Sequence, residues 1–156
     1  MPHFEVLKSN GDLKAILKSA FDVNLDISGS WGYTQKLATV FTVSDVPLMQ
    51  LEHMFASMRA YTEMNMILEK KERYGSINLN ELQREQIVVD HLIYDKVTYQ
   101  ITAMKEDIYA SFIKAYKEGY GKDTFDMTEH FNQRKKATLE RIEVHWFEIH
   151  KVLRVN

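Results

Sequence analysis

Over residues 92–104 apolar and polar side chains alternate: Val97, Tyr99, Ile101 and Ala103 stand against Lys96, Thr98, Gln100 and Thr102. Successive side chains of an extended chain point to opposite faces, so this period of two predicts a strand with one face on a core and the other in water. The same period runs through residues 22–28, where Val23, Leu25 and Ile27 alternate with Asp22, Asn24, Asp26 and Ser28. Residues 36–43 are apolar at both parities and read as a strand covered on both sides. The last two runs predict a hairpin with Ser28-Gly29-Ser30-Trp31-Gly32-Tyr33 at its tip.

Helical periods are interspersed with these strands. Leu13, Ile16, Leu17 and Ala20 form the stripe of a short helix capped by Asp12. Ser44-Asp45-Val46-Pro47 predicts the start of a long helix, 45–74, stopped by Gly75. Leu51, Met54, Phe55, Met58, Tyr61 and Leu68 occupy one side of it, and Met49, Ala56, Ala60, Met64 and Ile67 the opposite side. Two apolar stripes imply a helix sandwiched within its own domain or lending a face to a partner. A further helix follows residue 104, with Glu106 and Asp107 in its first turn and Gly119 as its stop; Asp126 and Glu129 form a capping box for the next.

Two segments send mixed signals. In 77–91, Asn80-Glu81-Leu82-Gln83 could cap a helix while Ile87-Val88-Val89 favours a strand. In 138–155, Leu139, Ile142, Trp146, Ile149 and Leu153 follow a helical stripe, against the strand preference of Val144-His145-Trp146-Phe147; the stripe favours a helix. Strands and helices do not alternate strictly, so the expectation is a single α+β domain over 1–156, with antiparallel hairpins packed on the Met-rich helix and shorter helices.

Composition narrows the function classes. With no cysteine among the 156 residues, disulfides, thiolate zinc sites and cysteine nucleophiles are excluded. That suits a cytoplasmic protein, and neither a signal-like N-terminus nor a bilayer-length apolar run points elsewhere. The net charge of −2 is spread along the chain, and Arg134-Lys135-Lys136, its one tight basic cluster, reads as a solvated helix face. No nucleic-acid partner is expected, because stacking by Trp31 and Tyr33 would have only Lys36 nearby to meet phosphate.

No segment carries a reaction motif. Gly119-Tyr120-Gly121-Lys122-Asp123-Thr124 resembles a phosphate loop only superficially: its earlier glycine position is Tyr116, and Asp123 stands where a hydroxyl is needed. His145 and His150, with Glu143 and Glu148 beside them, are five residues apart, which puts them on different faces of either a helix or a strand. A metal there would need ligands from other elements, and no cofactor or metal is expected. Tyrosines crowd residues 94–120, where rings either fill a core or line a pocket.

The reading that follows is a non-enzymatic protein that works by association, with itself or with another protein. Met49, Ala56, Ala60, Met64 and Ile67 on the Met-rich helix, with Trp31 and Tyr33 at the hairpin tip, form the candidate interface. Methionine packs adaptably and suits such surfaces. The alternative is a small-molecule site or enzyme pocket drawing on Tyr94, Tyr99, His145, Glu148 and His150.

Overall fold

A computed structural model of the chain describes residues 4–8 and 12–154. In order the elements are α1 (Leu13–Phe21), β1 (Ile27–Gly29), β2 (Thr39–Phe41), α2 (Leu48–Tyr61), β3 (Tyr74–Val89), β4 (Leu92–Lys105), α3 (Glu106–Gly119), α4 (Met127–Ala137), β5 (Leu139–Glu148) and α5 (His150–Arg154). The strands form one mixed sheet in the order β1-β2-β5-β4-β3, giving an α+β fold. All pairs are antiparallel except β2 with β5, which run parallel through Thr39 opposite Phe147 and Val40 opposite Glu148.

Local chemistry explains the elements that were legible. Asp12 caps α1 by accepting from the Lys14 amide at 3.0 Å, and Asp126 caps α4 by accepting from the Glu129 amide at 3.0 Å. Asp126→Ala is expected to cost about 1 kcal/mol of stability, the usual worth of an exposed N-cap; a urea midpoint indistinguishable from that of the unaltered chain would rule this out. The hairpin of β1 and β2 also forms. Burial alternates through 23–27 as the sequence implies, although only Ile27–Gly29 makes ladder bonds.

Both ends of the long helix differ from the sequence reading, and the structure resolves the segment that reading left open. α2 begins at Leu48 because Ser44 bonds the Val46 amide and stabilises a turn, while Pro47 occupies the cap position. It ends well before Gly75: a π-helical turn, Thr62–Met66, and a 3-10 turn, Lys70–Glu72, follow it, and Tyr74 is already paired with Lys105 in the sheet. The open segment 77–91 lies mostly in β3, whose ladder with β4 is interrupted between Gly75 and Asn78 and again between Glu81 and Gln83. Those irregularities scramble the period of two that would have marked a strand.

Residues 139–148 are the strand β5, correcting the helical reading. This segment pairs with β4 along its whole length and with β2 at Phe147 and Glu148, and that pairing outweighs the helical spacing of its apolar residues. Its odd-numbered residues, Arg141, Glu143, His145 and Phe147, line up with Ile101, Tyr99, Val97 and Asp95 of β4 on the inner face. Ile142 and Trp146, which made the stripe look helical, lie on the other face, and Ile142 is exposed.

Candidate functional site

α2 lies across the inner face of the sheet. Its Phe55 packs against Trp31, Phe41 and His145, with ring centroids 5.8, 6.2 and 5.4 Å away. Three ionisable residues of the same helical stretch, Glu52, Arg59 and Glu63, are also buried. They are spaced by seven and then four residues, about two turns and one turn of helix, so they fall on one stripe. The sheet answers them with Arg141, Glu143 and His145 from β5, Asp95 from β4 and Arg84 from β3.

At the C-terminal end of the stripe the charges are balanced. The Arg59 guanidinium is only 2% exposed. It donates to the Trp31 carbonyl at 3.1 Å, the Glu143 carboxylate at 2.9 Å and the Val144 carbonyl at 3.0 Å, and it stacks 4.3 Å from the centre of the Tyr33 ring. Glu63 accepts from the Tyr33 hydroxyl and faces Arg141 at 3.3 Å; Arg141 also pairs with Glu143. Burial raises the Glu63 carboxyl above its ordinary pKa, against the pull of Arg59, Tyr33 and Arg141.

His145 is sealed beneath this group. The Thr39 hydroxyl gives its single proton to the Ser30 carbonyl at 2.7 Å, so at its 3.0 Å contact with His145 it accepts from Nε2–H. Complete burial, reinforced by Arg59, holds His145 well below its ordinary pKa and therefore neutral. Gly32 lies against the imidazole: a Cβ there would sit 2.1 Å from the ring, and its φ of +88° suits glycine. The glycine of the hairpin tip thus serves close packing.

At the N-terminal end the charges do not balance. Arg84 donates to Glu52 at 2.6 Å, Asp95 at 3.0 Å and Glu81 at 2.6 Å, so three carboxyl groups share one guanidinium. Burial, then the hydrogen bond with Asp95, pushes the Glu52 pKa up to about 8, and this carboxyl carries its proton at neutral pH. Burial, then the nearby Glu52 carboxyl, also raises the Tyr99 hydroxyl.

Chemically, these groups are spent mainly on one another, although Tyr99 Oη, Arg141 Nη1 and His145 Nδ1 are buried without a hydrogen-bond partner. The cavities flanking α2 are lined by other residues, so the geometry describes a tie between helix and sheet. Among the described residues, no group of three or more His, Cys, Asp or Glu side chains is placed to hold a metal ion. No helix among them is long and apolar enough to cross a membrane.

The residues singled out in the sequence fall into separate places. Trp31, Ala56, Ala60 and Met64 are in the core, so the middle of the second stripe and the tryptophan cannot meet a partner without opening it. Tyr33 is partly buried and spends its hydroxyl on Glu63, whereas Met49 and Ile67 are 57% and 45% exposed. Tyr99 and His145 point inward; Tyr94 and Glu148 belong to the opposite parity, with Tyr94 bonded to Gln35, and His150 opens α5. These five do not converge on one pocket.

A different concavity sits on the flank of α2. The end of α1, the helix and the start of β3 enclose an open groove of about 620 Å³, lined by Phe21, Met54, Ser57, Met58, Tyr61 and Ile77. Ser57 spends its hydroxyl on the His53 carbonyl at 2.9 Å, and Phe21 meets Tyr61 edge-on at 5.9 Å, so the lining is apolar apart from the tyrosine hydroxyl. Protein-family models, curated proteins and solved structures offer no match to this chain.

Proposed function

We propose that this protein works by association, receiving an apolar helix of another protein in the groove beside α2. The observation that carries the reading is the lining: two methionines, a phenylalanine, an isoleucine and a tyrosine form an open trough. Such a surface suits an amphipathic helix laid in along its apolar side, with methionines adapting to its shape. The trough has little with which to orient a polar metabolite, which favours a protein segment over the pocket alternative.

The groove uses the first stripe of the Met-rich helix, at Met54, Met58 and Tyr61. Tyr61 is 42% exposed and accessible at the rim. A photo-crosslinking residue placed at 61 should yield a discrete adduct in extract of the native cells, and the same probe combined with Met54→Asp should lose it by about tenfold. Equal adduct yield from both proteins, with unchanged melting temperatures, would sink the proposal.

A further inference from the structure

Between Ala103 and Leu139 the chain makes an excursion from the sheet. Those two residues are cross-strand partners, and from them β4 and β5 run as an unbroken antiparallel ladder to Tyr94 and Glu148. Lys105 and Thr138, with ψ of 137° and 126°, are the points at which the chain leaves a strand for α3 and returns from α4. The ladder therefore closes without help from the residues in between.

Burial separates the excursion from the rest of the molecule. The hydrophobic core, together with the partly buried side chains packed on it, contains no residue from 104–138. α3 has no buried residue, and in α4 the one buried residue is His130. The helical hairpin has a small aromatic centre of its own instead. Phe112, Tyr116, Phe125 and Phe131 surround the His130 ring at centroid distances of 5.7, 5.8, 5.3 and 5.4 Å. Arg134 lies over Tyr109 and Phe131, 5.9 and 5.8 Å from their ring centres. All of these partners belong to the hairpin itself.

The hairpin meets the body at the start of α3. There the Glu106 amide donates to the Arg73 carbonyl at 2.8 Å, Lys105 pairs with Glu72 at 2.6 Å in a solvent-accessible bridge, and Tyr109 approaches Gly75. A hollow of about 450 Å³ lies beside these contacts, where Asp107 and Ala110 face Lys70 and Lys71. Regions with little buried apolar surface open at lower free energy than a core does. Helices of 14 and 11 residues are also near the length at which an isolated helix is marginal in water.

We infer that the α3–α4 hairpin is a separate cooperative unit that unfolds and refolds while the sheet and α2 stay folded, held together by the ring of aromatics around His130. The groove beside α2 takes no lining residue from the hairpin, so this order–disorder device is independent of the binding reading above.

Hydrogen exchange of the full chain, read by mass spectrometry of its peptides, is the test. With intrinsic rates divided out, amides of 106–137 should exchange at least about tenfold faster than the protected amides of β4 and β5. His130→Ala removes the centre of the ring and should speed exchange over 106–137 by about a further tenfold, leaving β4 and β5 unchanged. Ile101→Val, beneath α2, should do the reverse, with faster exchange in the strands and none of it in the hairpin. Hairpin amides as slow as those of the strands, either variant speeding both regions alike, His130→Ala without effect on the hairpin, or a His130→Ala chain that fails to fold would each overturn the inference.

Discussion

Replacing Arg59 with leucine is expected to lower the unfolding free energy by about 3–5 kcal/mol, the usual cost of stripping one partner from a buried ion pair. The guanidinium serves two backbone carbonyls and Glu143, and all three acceptors lie at or near the core, where water cannot take its place. Glu143 and Glu63 would then share Arg141 alone. Domains of this size retain roughly 5–15 kcal/mol of net stability, so the variant would fold marginally. Combining Arg59→Leu with Glu143→Gln should recover part of the loss, because it removes one of the stranded charges. A urea titration giving a cost below about 1 kcal/mol for Arg59→Leu would show that the site relaxes or hydrates easily.

Glu52→Gln is expected to remove most of the fall in stability between pH 5 and pH 8. In the folded chain Glu52 keeps its proton to about pH 8, whereas the unfolded chain releases it near the ordinary value of 4.5. Between those values the native state binds more protons, so stability falls as pH rises, by up to about 1.4 kcal/mol per pH unit for one such group. The contribution is complete below the unfolded value and lost as pH rises through the folded one. Glutamine can still accept from Arg84 and donate to Asp95, as the protonated carboxyl does, but cannot ionise. The variant should match the unaltered chain near pH 5 and exceed it by about 2–4 kcal/mol at pH 8, allowing for relaxation around the buried charge. Parallel stability–pH curves for the two proteins would refute this reading of the three-carboxyl cluster.

Much of the fold could be read from residues that face a core on one side only. β4 alternates cleanly because its inner residues Val97, Tyr99, Ile101 and Ala103 pack beneath α2 and its outer ones meet water. α3 ends at Gly119, as its stop signal implied. There a Cβ would come within 2.3 Å of the Phe125 ring, a close approach available to glycine. β5 misled because its buried face is the polar one. Reading apolar residues as inward fails where a strand sends Arg141, Glu143 and His145 to the core and leaves Ile142 in solvent.

The charged stripe was hidden for a related reason. Glu52, Arg59 and Glu63 look like ordinary surface charges on a Met-rich helix, and their charged partners, on the sheet, lie 32 to 84 positions away along the chain. One signal was present: their spacing puts all three on one side of the helix, where a solvated charged face would have been broken by the aromatic and aliphatic residues beside them. Of the two explanations offered for the apolar stripes of the long helix, sandwiching within the domain accounts for Leu51, Phe55, Ala56, Ala60 and Met64, whereas Met49, Tyr61 and Ile67 are exposed and Ile67 lies beyond the helix.

With α2 and its π-helical turn pinned to the sheet by the charged stripe, the methionines of this stretch must differ sharply in reactivity. Thioether oxidation by dilute peroxide follows exposure, and peptide mass spectrometry resolves the sites. Met49 and Met66 are open to solvent at 57% and 43%, while Met64 is fully enclosed and Met58 nearly so. Oxidation of the folded chain should therefore strike Met49 and Met66 first and leave Met58 and Met64 at least about tenfold slower, in keeping with thioether access. Met64 oxidising as fast as Met49 would mean that the side of the helix holding Ala56, Ala60 and Met64 faces solvent, and the placement of the helix between its sheet and its groove would be wrong.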